Sequence, residues 1–220
     1  MRNHTPRNST KPGNGFTLIE LLMVFAVIAI LAAITFGISR GVADARNRAK
    51  AKVELAAISQ ALEQYKARYG DYPWINIADV ENNQQVRNAS HGLLKTLVGW
   101  QAYDGTQVGG TDSDGNVFEK AKSVLDVSKL TLSDEWPTSS PEASPGLDIY
   151  FEDPWGNAYV YIYKRNESPG TWEKFGYILF SRGPDGLADS DNLDESDGTF
   201  EDEVDFKEAS GNIDNIYAGQ

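Results

Sequence analysis

An apolar run from Phe16 to Ile38, 23 residues long, constrains this chain more than any other feature. As a helix it spans roughly 34 Å at about 1.5 Å per residue, enough for a hydrocarbon core of about 30 Å. From Leu21 to Ala33 no side chain is polar. Arg2, Arg7 and Lys11 precede the run, with no acid among the first fifteen residues, and this cationic flank predicts a cytoplasmic N-terminus. Glu20 interrupts the pattern near its start. A carboxylate in a membrane helix costs about 2.5–3.5 kcal/mol, so such a residue is usually paired and functional. A cut after Gly15 would create an ammonium at Phe16, one helical turn from Glu20 or beside the Glu20 of a neighbouring chain. An inter-subunit pair would offset the cost and set the axial register of packed helices. A plain signal anchor leaves Glu20 unexplained. A conventional signal peptide fits poorly, because no small-x-small site ends the run before Ala33 and a helical pattern continues past it.

Gly15-Phe16-Thr17-Leu18-Ile19-Glu20-Leu21-Leu22, behind its basic leader, resembles the class III signal of type IV pilins and type II secretion pseudopilins. The resemblance implies that a prepilin peptidase cuts after Gly15 and methylates the amine of Phe16. It implies that Glu20 then guides the subunit into a helical filament. The presence of Glu20 also argues against the minor tip subunit that lacks this acid.

The net charge is -12, and loss of a leader carrying three bases takes it to -15. That balance argues against nucleic-acid binding, which needs clustered Lys and Arg. The chain has no cysteine, so an exported domain must hold together by packing or by a metal ion. Many type IV pilins carry a C-terminal cysteine pair, and its absence leans towards a pseudopilin.

Beyond Ile38 the helix is expected to continue, with some bending at Gly41. Leu55, Ile58, Leu62, Tyr65 and Tyr69 form a helical stripe expected in the core, while Arg46, Arg48, Lys50, Lys52, Glu54, Glu63 and Lys66 supply the other faces. Gly70 and Pro73 end the helix. Ala61 to Lys66 followed by Tyr69-Gly70-Asp71-Tyr72-Pro73 looks like the end of the long helix in the major, or G-type, pseudopilins. Their next short helix is matched by Gly92 to Val98, here displaced by a polar insert at 74–90. Residues 101–146 read as turns, with a short helical candidate at Phe118–Leu125 and a Pro/Ser stretch at Pro137–Gly146. Asp112-Ser113-Asp114-Gly115-Asn116 fails the full calcium-loop spacing and reads as a plain turn. His91, the histidine left once the leader is gone, reads as a surface or capping residue.

Two β-branched and aromatic runs, Ala158–Tyr163 and Phe175–Ser181, predict strands joined by a hairpin connection at Ser168-Pro169-Gly170. The turn Asp153-Pro154-Trp155-Gly156-Asn157 feeds the first. It resembles the most specific sheet motif of the G-type pseudopilins, with a structural role and Trp155 in the core; a catalytic Asp153 is the lesser reading. Ser181-Arg182-Gly183-Pro184-Asp185-Gly186 resembles the opening of that family's calcium-binding loop. Ten acids and no base lie between Asp185 and Asp205. Without a cation such a density would repel itself and resist folding, and oxygen ligands suit calcium. The resemblance implies ligands at the Arg182 carbonyl, Asp185, Asp214 and Asn215. The loop is long here, with 28 residues between Asp185 and Asp214, so Asp189, Asp191, Asp194 or Asp197 are alternative ligands or a second site. A solvated acidic loop without metal is the competing reading.

The expected fold is α+β, the pilin fold: a long N-terminal helix packed on a small antiparallel sheet with a C-terminal acidic loop. The expected segments are a leader (1–15), a transmembrane and filament-core helix (16–38), its amphipathic continuation (39–73), a variable region (74–148), and sheet plus calcium loop (149–220). The resemblance implies a structural subunit of a type II secretion pseudopilus, not an enzyme. It would sit in the bacterial inner membrane with its globular part in the periplasm and help export folded proteins. Its partners would be copies of itself, other pseudopilins, the prepilin peptidase, the inner-membrane assembly platform and, before assembly, membrane lipid. The alternatives are a type IV pilin of a surface filament and a membrane-anchored calcium-dependent binding module. An anchored enzyme stands behind both, since no Gly-x-Ser-x-Gly, His-Glu-x-x-His or P-loop motif occurs.

Overall fold

The computed structural model describes residues 16–75, 77, 79–102, 110–111, 117–118, 121–134, 149–164 and 169–219. The leader with Gly15, the Asp112–Asn116 turn, the Pro137–Gly146 stretch and Ser168 lie outside these. The chain divides into two units, 1–44 and 45–220. Helix α1 (Leu18–Tyr69) contributes to both.

In the N-terminal unit the apolar side chains Leu18, Ile19, Leu21, Leu22, Phe25, Ile28 and Leu31 are all exposed. A helix that is apolar all round and unpacked in a single chain awaits an apolar surrounding. Among the described residues no helix is long and apolar enough to cross a membrane; described side chains of the apolar run end at Ala33.

The second unit holds the core. From Ala51 onward α1 buries Leu55, Ile58, Ala61, Leu62 and Tyr65, the expected 3–4 spacing. Tyr69, the last of the expected stripe, is 42% exposed instead. It lies in the final turn and stacks on Tyr65, whose ring centroid is 4.5 Å away. The helix stops where expected. Gly70 takes a φ of 91°, a left-handed conformation that a side chain resists, and its N–H closes on the Lys66 carbonyl at 2.8 Å.

Helix α2 (Asn83–Leu97) begins inside the stretch read as a polar insert. Asn82 is its cap, with Oδ1 accepting from the N–H groups of Gln84 at 3.0 Å and Gln85 at 3.2 Å. Val86, Ala89, Leu93, Leu94 and Leu97 then face the core. Buried Ser90 satisfies itself by donating to the Phe151 carbonyl at 3.2 Å and accepting its N–H at 3.1 Å. His91 is half-buried, with Nδ1 2.6 Å from the Ile149 carbonyl oxygen.

A short pair, β1 (Gly110–Thr111) and β2 (Val117–Phe118), precedes residues 121–126, which carry no helix. The helical candidate at Phe118–Leu125 is therefore corrected. Its residues extend along the end of α2 instead: Ala121 N–H meets the Gly99 carbonyl at 2.8 Å and Val124 N–H meets the Leu97 carbonyl at 3.0 Å.

The sheet is antiparallel in the order β3-β4-β7, built from β3 (Val160–Ile162), β4 (Ile178–Ser181) and β7 (Ile216–Tyr217). Tyr161 pairs with Leu179, and Phe180 sits between Val160 and Tyr217. A 3-10 turn at Pro169–Thr171 stands where the hairpin connection is expected. Every residue of β3 and β4 is buried, so both faces are covered. Tyr159, Tyr161 and Tyr163 alternate onto one face. Their phenols reach Glu54 Oε2 at 2.8 Å, the Pro73 carbonyl at 2.9 Å and Asp71 Oδ1 at 2.7 Å. This tyrosine ladder fastens α1 and its exit to the sheet, and burial pushes all three phenols well above their usual pKa.

Glu54, expected on an outer face, is only 2% exposed. Besides Tyr159, it accepts from Thr131 N–H at 3.0 Å and Thr131 Oγ1 at 2.7 Å. A buried carboxylate survives because three donors enclose it. The fold is thus α+β, with an N-terminal helix packed on a small antiparallel sheet.

Past β4 come the hairpin β5 (Leu193–Asp194) and β6 (Thr199–Phe200) and the short helix α3 (Glu203–Glu208).

Candidate functional site

The first candidate is the N-terminus of α1. Thr17 stands just before Leu18, the first helical residue, and Glu20 three positions after Thr17. Glu20 Oε2 accepts from Thr17 N–H and Thr17 Oγ1, each at 2.8 Å, and Thr17 Oγ1 accepts the Glu20 N–H at 3.3 Å. This is a capping box, in which the cap and the third helical residue satisfy each other's orphan donors. Thr17-x-x-Glu20 is legible in the sequence as that motif, although the charge of Glu20 within an apolar run is the more conspicuous signal. The acid therefore has a task inside its own chain, holding the first turn beside the exposed Phe16.

The second candidate is the junction of the Asp153 turn, the loop after β4 and the entry to β7. Asp153 is buried, and its Oδ1 accepts from the N–H groups of Trp155 at 3.0 Å and Asn157 at 2.9 Å. Its Oδ2 accepts from Ser181 Oγ at 2.6 Å. Burial pushes the Asp153 carboxyl above its ordinary range, while Ser181, the two N–H groups and the charge of Arg182 hold it back. Pro154 and Gly156 complete the turn, Gly156 at a φ of 93°. Trp155 is half-buried at the margin of the core, less enclosed than expected. Asn157 carries the turn to the acidic loop by donating from Nδ2 to the Gly183 carbonyl at 3.0 Å.

Gly183 takes a φ of 63°, and a Cβ there would stand 2.6 Å from the Asp214 carbonyl oxygen. The segments 182–185 and 214–215 are thus face to face. Burial raises the Asp214 carboxyl and the neighbouring charge of Asp185 raises it further, against N–H groups that lower it. Asp214 Oδ1 and Asn215 Oδ1 are buried without a hydrogen-bond partner among the described residues. Asp185 spends one oxygen on the Leu187 N–H, at 2.9 Å. Arg182 is itself buried, its guanidinium held by Asn83 Oδ1 at the start of α2. Of the expected ligands, the structure sets Asp185 beside Asp214, while Arg182 and Asn215 lie in the same two facing segments.

Asp189 Oδ1 accepts the Asp191 N–H at 2.9 Å, and Asp191 is exposed. Asp194, Asp197 and Asp202 likewise accept the N–H two residues on, at 2.7, 2.9 and 2.8 Å. The acidic segment is therefore ordered by local turns of this kind, a use of Asp that spacing alone does not distinguish from ligation. Among the described residues no three carboxylates or imidazoles converge as a metal cluster. The oxygen donors available to a hard cation are a smaller set: the neighbouring Asp185 and Asp214 carboxylates and the Asn215 amide oxygen, with Asp214 Oδ1 and Asn215 Oδ1 the unsatisfied atoms.

Asn212 is the residue the sequence reading missed. It is 1% exposed, and its Nδ2 donates to the carbonyls of Asp189 at 2.9 Å and Phe206 at 2.8 Å. Its Oδ1 accepts from Asp189 N–H and Asn215 Nδ2, both at 2.9 Å. One amide thus ties the acidic segment, α3 and the entry to β7 together. No local motif announces it, because its partners are up to 23 residues away.

Residues 11–36 match the family model described as the prokaryotic N-terminal methylation motif. The chain is 26% identical over 183 residues to the type II secretion system core protein G of Escherichia coli (strain K12), covering 81% of this chain and 86% of that protein. No solved structure matches. The chain thus carries a prepilin-type methylation motif at the head of α1, is similar along most of its length to a type II secretion system core protein G, and has the helix-on-sheet architecture of a pilin fold.

Proposed function

We propose that the chain is the structural subunit of a type II secretion pseudopilus, a filament that aids export of folded proteins. The role is structural, not catalytic. The observation that carries it is the Thr17–Glu20 box at the head of an apolar helix whose large side chains are exposed in the single chain. In this reading a prepilin peptidase cuts after Gly15 and methylates Phe16. The subunit waits in the inner membrane with its globular unit in the periplasm. The exposed apolar helices of many copies, with other pseudopilins and the assembly platform, then form the filament core. Glu20 holds its own first turn and meets the neighbouring amine.

Glu20→Val should leave membrane insertion intact and reduce filament assembly at least tenfold, scored by electron microscopy and shear fractionation; normal filaments from this variant would contradict the role. Thr17→Val removes the hydroxyl half of the box and should weaken assembly in the same direction.

Calcium belongs to the same proposal. Asp185, Asp214, the Asn215 amide oxygen and the Arg182 carbonyl would hold it, and the ion would neutralise the crowded carboxylates and tie β4 to β7. Asp185→Ala should lower Tm in calcium and leave it nearly unchanged in chelator; equal losses in both would remove the metal. Asp214 adds a pH dependence. Its carboxyl is raised when folded, so without calcium its contribution is fully present below the ordinary 3.8 and is lost as pH rises through the folded value. Calcium needs the ionised form, so the Tm increase on adding calcium should grow as pH rises through that window. An increase independent of pH would contradict ligation by Asp214.

A further inference from the structure

We propose that the outer face of α1 around Val53 receives the α3 surface of a second copy of this chain. The inference rests on the filament reading and names the surfaces that would meet. On α1, Ala45, Ala49 and Val53 follow one another at four-residue spacing on the face opposite the buried Ala51, Leu55 and Ile58. Val53 is 68% exposed. Arg46 and Lys52, both exposed, flank this small apolar strip, and no acid stands between Ala45 and Val53. Arg48 already faces Asp214 of its own chain, and Lys50 lies 3.8 Å from Glu54, so neither is needed.

The complementary surface is on and beside α3. Val204 is 62% exposed, an apolar side chain ringed by the exposed acids Glu201, Asp205 and Glu208. Asp202 is occupied as the cap of α3, and Glu203 pairs with Lys207 at 3.0 Å. Glu201, Asp205 and Glu208 have no ion pair among the described residues. One surface is thus apolar with a basic rim and the other apolar with an acidic rim. Complementary rims steer encounter and fix register between partners. Two different patches of one chain make a head-to-tail contact, which propagates into an open helix instead of closing on itself.

The chain contains no cysteine, so engineered thiols report this contact directly. Full-length Val53→Cys and Val204→Cys variants are expressed together in the native membrane under assembly conditions and treated with a mild oxidant. The expected product is a disulfide joining the α1 peptide of the first variant to the α3 peptide of the second, identified by mass spectrometry. Adding Arg46→Glu and Lys52→Glu to the Val53→Cys copy should lower its yield by about tenfold, the effect of about 1.4 kcal/mol. Adding Glu201→Lys and Asp205→Lys to the Val204→Cys copy should then restore it. Cross-links of each variant only with itself, or a mixed cross-link indifferent to charge reversal, would overturn the proposal. Imaging separates the two levels. Normal filaments from Arg46→Glu/Lys52→Glu overturn this interface alone, whereas no filaments from the unaltered chain overturn the filament reading and this interface with it.

Discussion

Glu54→Ala is expected to cost the globular unit about 3–5 kcal/mol, the range for removing one partner from a buried charged network. The loss has two sources. The Tyr159 hydroxyl, the Thr131 hydroxyl and the Thr131 N–H all lose their acceptor. The excised side chain also leaves a void between α1 and the sheet, which neighbouring atoms fill only in part. Glu54→Gln keeps the volume and one carbonyl acceptor, so it should cost roughly half as much. Urea unfolding of the globular unit checks both. A loss below about 1 kcal/mol for Glu54→Ala, the scale of a surface ion pair, would mean that the carboxylate is hydrated and not enclosed.

Asn212→Ala is expected to cost about 3 kcal/mol, because four hydrogen bonds disappear and buried partners stay behind. The damage should be regional. Hydrogen exchange should quicken at Asp189, in α3 and around Asn215, and stay slow in α2 and β3. If calcium bridges Asp185 and Asp214, the variant should also bind it more weakly, since Asn212 positions Asn215. Uniformly faster exchange would contradict the account of Asn212 as a local tie. Asn212→Asp is a sharper probe: it keeps the shape but cannot donate to the two carbonyls.

The sequence made some of this legible and hid the rest, for physical reasons. The α1 stripe from Leu55 to Tyr65 follows from helical periodicity, and Gly70 ends the helix because a left-handed φ suits glycine. The strands around Val160 and Phe180 follow from runs of β-branched and aromatic residues. Glu54 was hidden because charge points outward in any local reading, and its three donors come from distant segments. The start of α2 was hidden because Asn82-Asn83-Gln84-Gln85 looks like a polar insert until the cap on Asn82 is recognised. Phe118–Leu125 has helical composition, but Phe118 pairs in a short strand and the N–H groups of Ala121 and Val124 bond to the end of α2 instead. At the acidic segment, composition cannot tell an Asp that closes a turn from one that binds a cation. The approach of Gly183 to Asp214, which sets the two ends of the acidic segment side by side, is invisible to composition altogether.

The central claim is that α1 is a processed filament helix, and the N-terminal mass of the protein from its native membrane tests it most directly. The account predicts a chain beginning at Phe16 and bearing one N-methyl group. Intact Met1, or a cut elsewhere, in cells with an active prepilin peptidase would contradict it.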